Sequence, residues 1–196
     1  MNNNQTNDLY VLGELKESDK NAVAVVGTRQ ISSRGKLLTQ QFVNELVKNN
    51  ITIVSGLARG IDTIAHKTAL ENGGRTIAIL GSGLDIIYPP ENKELAEEIT
   101  KHGALVSGFE YGTKPLPQNF LARNQLIVKF SQAVLVIEGK RRSGTISTAN
   151  HAANEGVEVF AIPGSEATDY LIENGATIAN TPSDVIEYMK ANNFEK

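Results

Sequence analysis

The chain has 196 residues, 40% of them hydrophobic, no cysteine, and a formal net charge of −3. That length suffices for one buried core, and a single domain is the expectation. The absence of cysteine excludes disulfides, thiolate zinc sites and a cysteine nucleophile, and the acidic balance confines any nucleic-acid site to a local cluster of cations.

Residues 1–21 are polar apart from a weak apolar cluster at Leu9–Leu12, and they read as a loosely ordered arm ahead of one domain spanning 22–196. Val23–Val26 is short, apolar throughout and β-branched, the pattern of a strand buried on both faces. Gly27-Thr28-Arg29 breaks it, and Leu37, Leu38, Phe42, Leu46 and Val47 then recur at helical spacing, predicting a helix over 33–49. The unit repeats. Strands are predicted at 52–55, 76–80, 104–107, 133–137 and 158–162, with helices at 61–72, 92–101, 119–130, 144–154, 168–174 and 183–191 and a short strand near Thr177. Strand, glycine-bearing loop and helix in alternation predict a doubly wound, mostly parallel α/β sheet with helices on both faces, an extended Rossmann-like architecture. Ligands in such sheets bind beyond the carboxyl ends of the strands, at the topological switch point.

No apolar run approaches the ~20 residues that cross a bilayer, and the polar start lacks the layout of a secretory signal. A cytoplasmic protein with no membrane partner is expected.

The strand-end loops are where chemistry is sought. Gly27-Thr28-Arg29 combines a glycine, which permits close approach of a phosphate, with a planar fork of donors. Gly56-Leu57-Ala58-Arg59-Gly60-Ile61-Asp62 brackets a strand-to-helix turn whose free N–H groups suit an anion, with Asp62 as a candidate cap. Gly81-Ser82-Gly83-Leu84-Asp85-Ile86 begins like a dinucleotide fingerprint, but Ile86 stands at the third glycine, so NAD binding is not expected; Asp85 reads as a loop brace. Lys140, Arg141 and Arg142 follow the most apolar strand, and Ser143-Gly144-Thr145 opens a helix. Charge together with directed donors suits phosphate. Arg123 and Asn124 are placed to face the same crevice. His66, His102 and His151 have no partner at metal-ligand spacing, and there is no nucleophile elbow or Walker loop, so neither a metal, a cofactor nor an enzymatic activity is expected.

These loops resemble the DNA-processing protein A family (DprA, also called Smf). The matching runs are VAVVGTR at 23–29, IVSGLARGIDTIAH at 53–66, TIAILGSGLDIIYPPEN at 76–92, FLARNQLI at 120–127, VLVIEGKRRSGTISTA at 134–149 and VEVFAIPGS at 157–165. The resemblance implies a cytoplasmic bacterial protein that binds and protects single-stranded DNA, forms a homodimer, and presents the strand to the recombinase RecA in natural transformation. It implies a basic pocket of Arg29, Arg59, Lys93 and Arg123 with the Lys140–Thr145 loop beside it. The family reads a second arginine where this chain has Gln125, and the stretch after Ser165 is shorter. Many members also carry a small helical domain before this core and a winged-helix domain after it, and neither fits within these residues.

Two other readings compete. The fold also resembles the phosphoribohydrolases, which makes a small-nucleotide sensor or enzyme the alternative, but the position of their catalytic glutamate is Thr148 here. Tyr88, Tyr111 and Phe120 are the candidate stacking platforms for bases. A protein-binding scaffold that merely keeps the fold is the weaker third.

Overall fold

Short runs that are apolar at every position are stable only between two covering layers, and they form the centre of the sheet. The structure is a computed structural model that describes residues 9–192. Its strands are β1 (Tyr10–Gly13), β2 (Ala22–Val26), β3 (Thr52–Ser55), β4 (Thr76–Leu80), β5 (Ala104–Ser107), β6 (Ala133–Val136), β7 (Glu158–Ala161) and β8 (Thr177–Ile178). The helices are α1 (Ser33–Lys48), α2 (Ile61–Glu71), α3 (Lys93–His102), α4 (Pro117–Lys129), α5 (Gly144–Asn154), α6 (Glu166–Glu173) and α7 (Pro182–Asn192). Each expected strand and helix is present, with ends moved by a residue or two.

Among the described residues the strands form one sheet in the order β1-β5-β4-β3-β2-β6-β7-β8, parallel except for β1. From β2 the chain winds outward through β3, β4 and β5, then crosses back to β6 on the other side of β2. The switch point therefore lies between β2 and β6, where Val23 stands beside Ala133 and Val26 beside Val136. Alternation along β2 sends Val23 and Val25 into a core with Phe42, Leu46 and Ile61, beneath α1 and α2. Ala22, Ala24 and Val26 face the opposite core, with Ile127, Val128 and Ala149 of α4 and α5. A third cluster, built on Leu80, Leu95, Ile99 and Leu105, seats α3.

The expectation of a loose arm over 1–21 is corrected for the part the structure describes; residues 1–8 of that arm lie outside it. Residues 10–13 form the antiparallel edge strand β1, with Tyr10 opposite Ser107 and Gly13 opposite Ala104. The reason is a non-local ion pair. Arg75 donates Nε and Nη2 to the two oxygens of buried Asp19, each at 2.7 Å, and donates to the Glu14 carbonyl at 2.8 Å. Thr52 Oγ1 and the Lys16 N–H also donate to Asp19, at 3.0 and 2.8 Å. Burial pushes the Asp19 carboxyl up, but the hydrogen bonds of Arg75 and Lys16 and the Arg75 charge outweigh it and hold the group below the usual aspartate range.

Asp19→Ala is expected to lower stability by about 2–4 kcal/mol at neutral pH, measured by urea denaturation. Because the folded-state pKa is depressed, this contribution is present above the ordinary aspartate value of about 3.9 and is lost as pH falls through the lower folded value. The gap between the two proteins should therefore close in acid. Equal stabilities at pH 7 would count against the anchor.

Candidate nucleic-acid interface

Three strand-end loops meet at the switch point and are tied to one another through the backbone. The Thr28 N–H donates to the Glu138 carbonyl at 2.8 Å, and the Ile61 N–H donates to the Thr28 carbonyl at 3.1 Å. Glu138 also accepts from Ser32 Oγ at 2.8 Å, at the start of α1. The loops after β2, β3 and β6 thus form one rim, which encloses a cleft of about 520 Å³.

Gly27, Thr28, Arg29 and Gln30 line the cleft from the β2 loop, and Phe120, Arg123 and Asn124 line it from α4. Lys140, Arg142, Ser143, Gly144 and Thr145 close the far wall. At the start of α5, Ser143 makes no side-chain cap; its hydroxyl donates instead to the Lys140 carbonyl at 2.7 Å. The first turn of α5 holds no acidic residue. Its N–H groups and positive dipole end are therefore available to an anion at the cleft wall.

Arg123 is the central cation. It is 4% exposed, and its guanidinium occupies the space above Gly56, where an added Cβ would fall 1.1 Å from Nη1. Gly56 therefore makes room for Arg123 rather than for a phosphate. The nearest carboxylate is Asp62, 3.9 Å from Nη1. Asp62 does not cap α2; its Oδ2 accepts from the Gly56 and Ala58 N–H groups at 3.1 and 3.3 Å and braces the loop. Burial pushes the Asp62 carboxyl up, opposed by the Arg123 charge and those two N–H donors. Burial likewise pushes Arg123 down, opposed by Asp62 and reinforced by repulsion from Arg29. Among the described residues, Nε and Nη1 of Arg123 have no hydrogen-bond partner. Arg29 is exposed, and its guanidinium lies 5.5 Å from the Phe120 ring centroid, with that of Arg123 at 5.7 Å. The two cations and the ring form one wall suited to a phosphate beside a stacked base.

Two more of the predicted site glycines, Gly27 and Gly60, shape the rim. A Cβ on Gly27 would meet Ile61 Cγ1 at 2.5 Å and the Glu138 carbonyl at 2.8 Å, so this glycine serves loop-on-loop packing. Gly60, at φ +75°, would meet the Thr28 carbonyl oxygen at 2.2 Å.

Three predicted cations stand apart from the cleft. Arg59 lines an adjoining hollow and donates Nε and Nη2 to Glu91, the latter bond at 3.1 Å. Arg141 turns its guanidinium onto the Tyr170 ring, 4.5 Å from the centroid. Lys93 is exposed at the first position of α3 and lines neither space. Of the candidate stacking residues, Phe120 lies in the cleft, Tyr88 in the adjoining hollow, and Tyr111 packs edge-on against Tyr10 with centroids 6.2 Å apart. Asp85 does brace a loop, accepting from the Gly112 N–H at 2.9 Å. His66 is a core histidine. Burial, then Arg123, push its pKa down to about 3, and its Nδ1 lies 2.7 Å from Thr76 Oγ1. Among the described residues no three His, Cys, Asp or Glu side chains are grouped to hold a metal ion.

Residues 3–190 match the family described as DNA recombination-mediator protein A. The chain belongs to that family. It is 42% identical over 189 residues to protein Smf of Escherichia coli (strain K12), covering 93% of this chain and 50% of that protein. The structure of DprA from Streptococcus pneumoniae superposes with a TM-score of 0.87 at 41% identity, over 91% of this chain and 65% of that one. DNA processing protein A from Helicobacter pylori, whose structure concerns its single-stranded DNA binding mode, gives a TM-score of 0.86 at 33% identity over 94% of this chain and 87% of its own. The chain spans from about half to about two thirds of the length of the curated DprA/Smf relatives it matches. Among the described residues no helix is long and apolar enough to cross a membrane.

Proposed function

We propose that this chain binds single-stranded DNA through the switch-point cleft and acts in DNA processing during natural transformation, protecting the strand and presenting it to RecA as a cytoplasmic homodimer. The observation that carries the reading is the convergence of Arg29, Arg123, Lys140 and Arg142 with the uncapped start of α5 around one cleft. Among the described residues the one carboxylate that lines it, Asp62, is already engaged by backbone N–H groups. Family membership and the single-stranded DNA binding of the Helicobacter pylori relative support the choice of ligand. Binding rather than hydrolysis is favoured by Thr148, which lines the cleft with a hydroxyl bonded to the Gly144 carbonyl at 3.1 Å, where a base-releasing enzyme requires an acid.

Fluorescence anisotropy with labelled oligothymidylate tests the reading. Affinity is expected to fall linearly on a log–log plot against salt, with a slope of about −0.7 for each phosphate neutralised. Arg142→Ala should weaken binding several-fold and flatten the slope by about 0.7, since it removes one such contact. Binding indifferent to salt, or none at low salt, would refute the proposal.

A further inference from the structure

The cleft gathers more positive charge than the space inside it would need for a passing strand. Its volume of about 520 Å³ falls among sites that enclose one small ligand, about 300–1,000 Å³. A nucleotide within a strand brings one negative charge, on its phosphodiester. Around that space stand the exposed cations Arg29, Lys140 and Arg142, the buried Arg123, and the positive end of α5.

Two of these donor groups stand unused. Arg123 is 4% exposed, and its Nε and Nη1 have no hydrogen-bond partner among the described residues. At the start of α5, Ser143 holds the extended conformation of an N-cap, φ −146° and ψ 162°, yet its side chain does not cap the helix. The hydroxyl turns to the Lys140 carbonyl instead, at 2.7 Å. Nothing lies within 4 Å of the Cβ position of Gly144, so the helix end is open to approach.

Building on the proposed DNA-binding role of the cleft, we infer that it takes a phosphate monoester in preference to a phosphodiester, supplied by the end of a strand or by a free mononucleotide. A monoester carries about −1.5 to −2 at neutral pH and presents three free oxygens. An internal phosphate carries a single charge and presents one oxygen fewer. The extra charge and oxygen answer the surplus of cations and the open helix end, through charge-assisted bonds about twice as strong as neutral ones. The Phe120 ring, beside the Arg29 and Arg123 guanidinium groups, then takes the base that follows. A strand held in this way ends inside the cleft, which closes that end to an exonuclease.

Competition against an internally labelled oligothymidylate, read by fluorescence anisotropy, tests the preference. Unlabelled strands of about ten nucleotides, within the range of single-strand sites, carry a 5′-phosphate, a 3′-phosphate or neither. One of the two phosphorylated strands should bind at least about fivefold tighter than the plain one. Thymidine 5′-monophosphate displacing the label where thymidine does not would add the free mononucleotide as a source; displacement by phosphorylated strands alone would assign the monoester to the strand end. Arg142→Ala combined with Ser143→Asn removes a cation and fills the helix cap without adding charge. It should bring the preference below about twofold, with an unchanged melting temperature confirming that the fold is intact. Equal affinity for all three strands would overturn the monoester preference and leave the cleft reading intact. A preference that survives the double variant would place the monoester elsewhere and overturn it as well. Failure of every strand to bind would overturn both readings.

Discussion

Gly60→Ala is expected to cost about 2–4 kcal/mol of stability and to remove most of the affinity for single-stranded oligonucleotides. Two separate effects add. Gly60 sits at φ +75° and ψ −125°, a conformation that side-chain-bearing residues rarely adopt. A Cβ there would also lie 2.2 Å from the Thr28 carbonyl oxygen, 2.8 Å from the Arg29 carbonyl carbon and 2.9 Å from the Arg29 Cα. These are backbone atoms, so the clash cannot be relieved by a rotamer change; the loop after β2 must move and carry Arg29 out of the wall it shares with Phe120. Gly73→Ala is the matched control. Gly73 has φ +70°, but nothing lies within 4 Å of its added Cβ. It should lose only about 1 kcal/mol and bind as before. Thermal unfolding and anisotropy titration of both variants separate the backbone term from the loop contact. If Gly60→Ala binds normally, the loop-on-loop contact does not set the position of Arg29.

The second large effect runs in opposite directions for stability and for binding. A buried guanidinium with two nitrogens that have no hydrogen-bond partner among the described residues, 3.9 Å from the Asp62 carboxylate, is a costly element of the folded state. Replacing Arg123 alone would leave Asp62 buried against an apolar neighbour. The informative variant is Arg123→Met combined with Asp62→Asn, since both N–H bonds to Asp62 go to a single oxygen, Oδ2, which an amide oxygen can replace. This double variant is expected to be more stable by about 1–3 kcal/mol and to bind oligonucleotides at least tenfold more weakly, by about 1.4 kcal/mol or more. Calorimetry with a parallel titration reads both quantities. A gain in stability with affinity unchanged would show that Arg123 does not meet the ligand.

Much of the molecule is legible in the amino-acid sequence. The alternating runs that end in Gly27, Gly56 and Gly81 define the parallel sheet because strand burial, helical spacing and glycine turns are local properties of the chain. The position of the cleft follows as well, since a right-handed βα array has its loops on one side. Phe120 carries a usable signal: it lies three residues before Arg123 on one helix, so the two side chains share a face. The edge strand β1 carries almost none. Its pairing depends on β5, and its anchor, Asp19, depends on Arg75, which lies 56 residues later in the chain.

By itself, the sequence determined the fold class, the family and the end of the sheet at which a ligand must be sought. Which cations stand together was decided only by tertiary structure. Arg29, Arg123, Lys140 and Arg142 share one cleft, whereas Arg59 is held by Glu91, Arg141 lies on Tyr170, and Lys93 lines neither space. The reason is physical. A strand or a helix is specified by neighbours a few residues away, but a cation's partner is whatever the fold brings within a few ångströms. Gly56 makes the point within a single residue: its place at a strand end is plain from the sequence, and its purpose, room for the Arg123 guanidinium, comes from a helix more than sixty residues further along the chain.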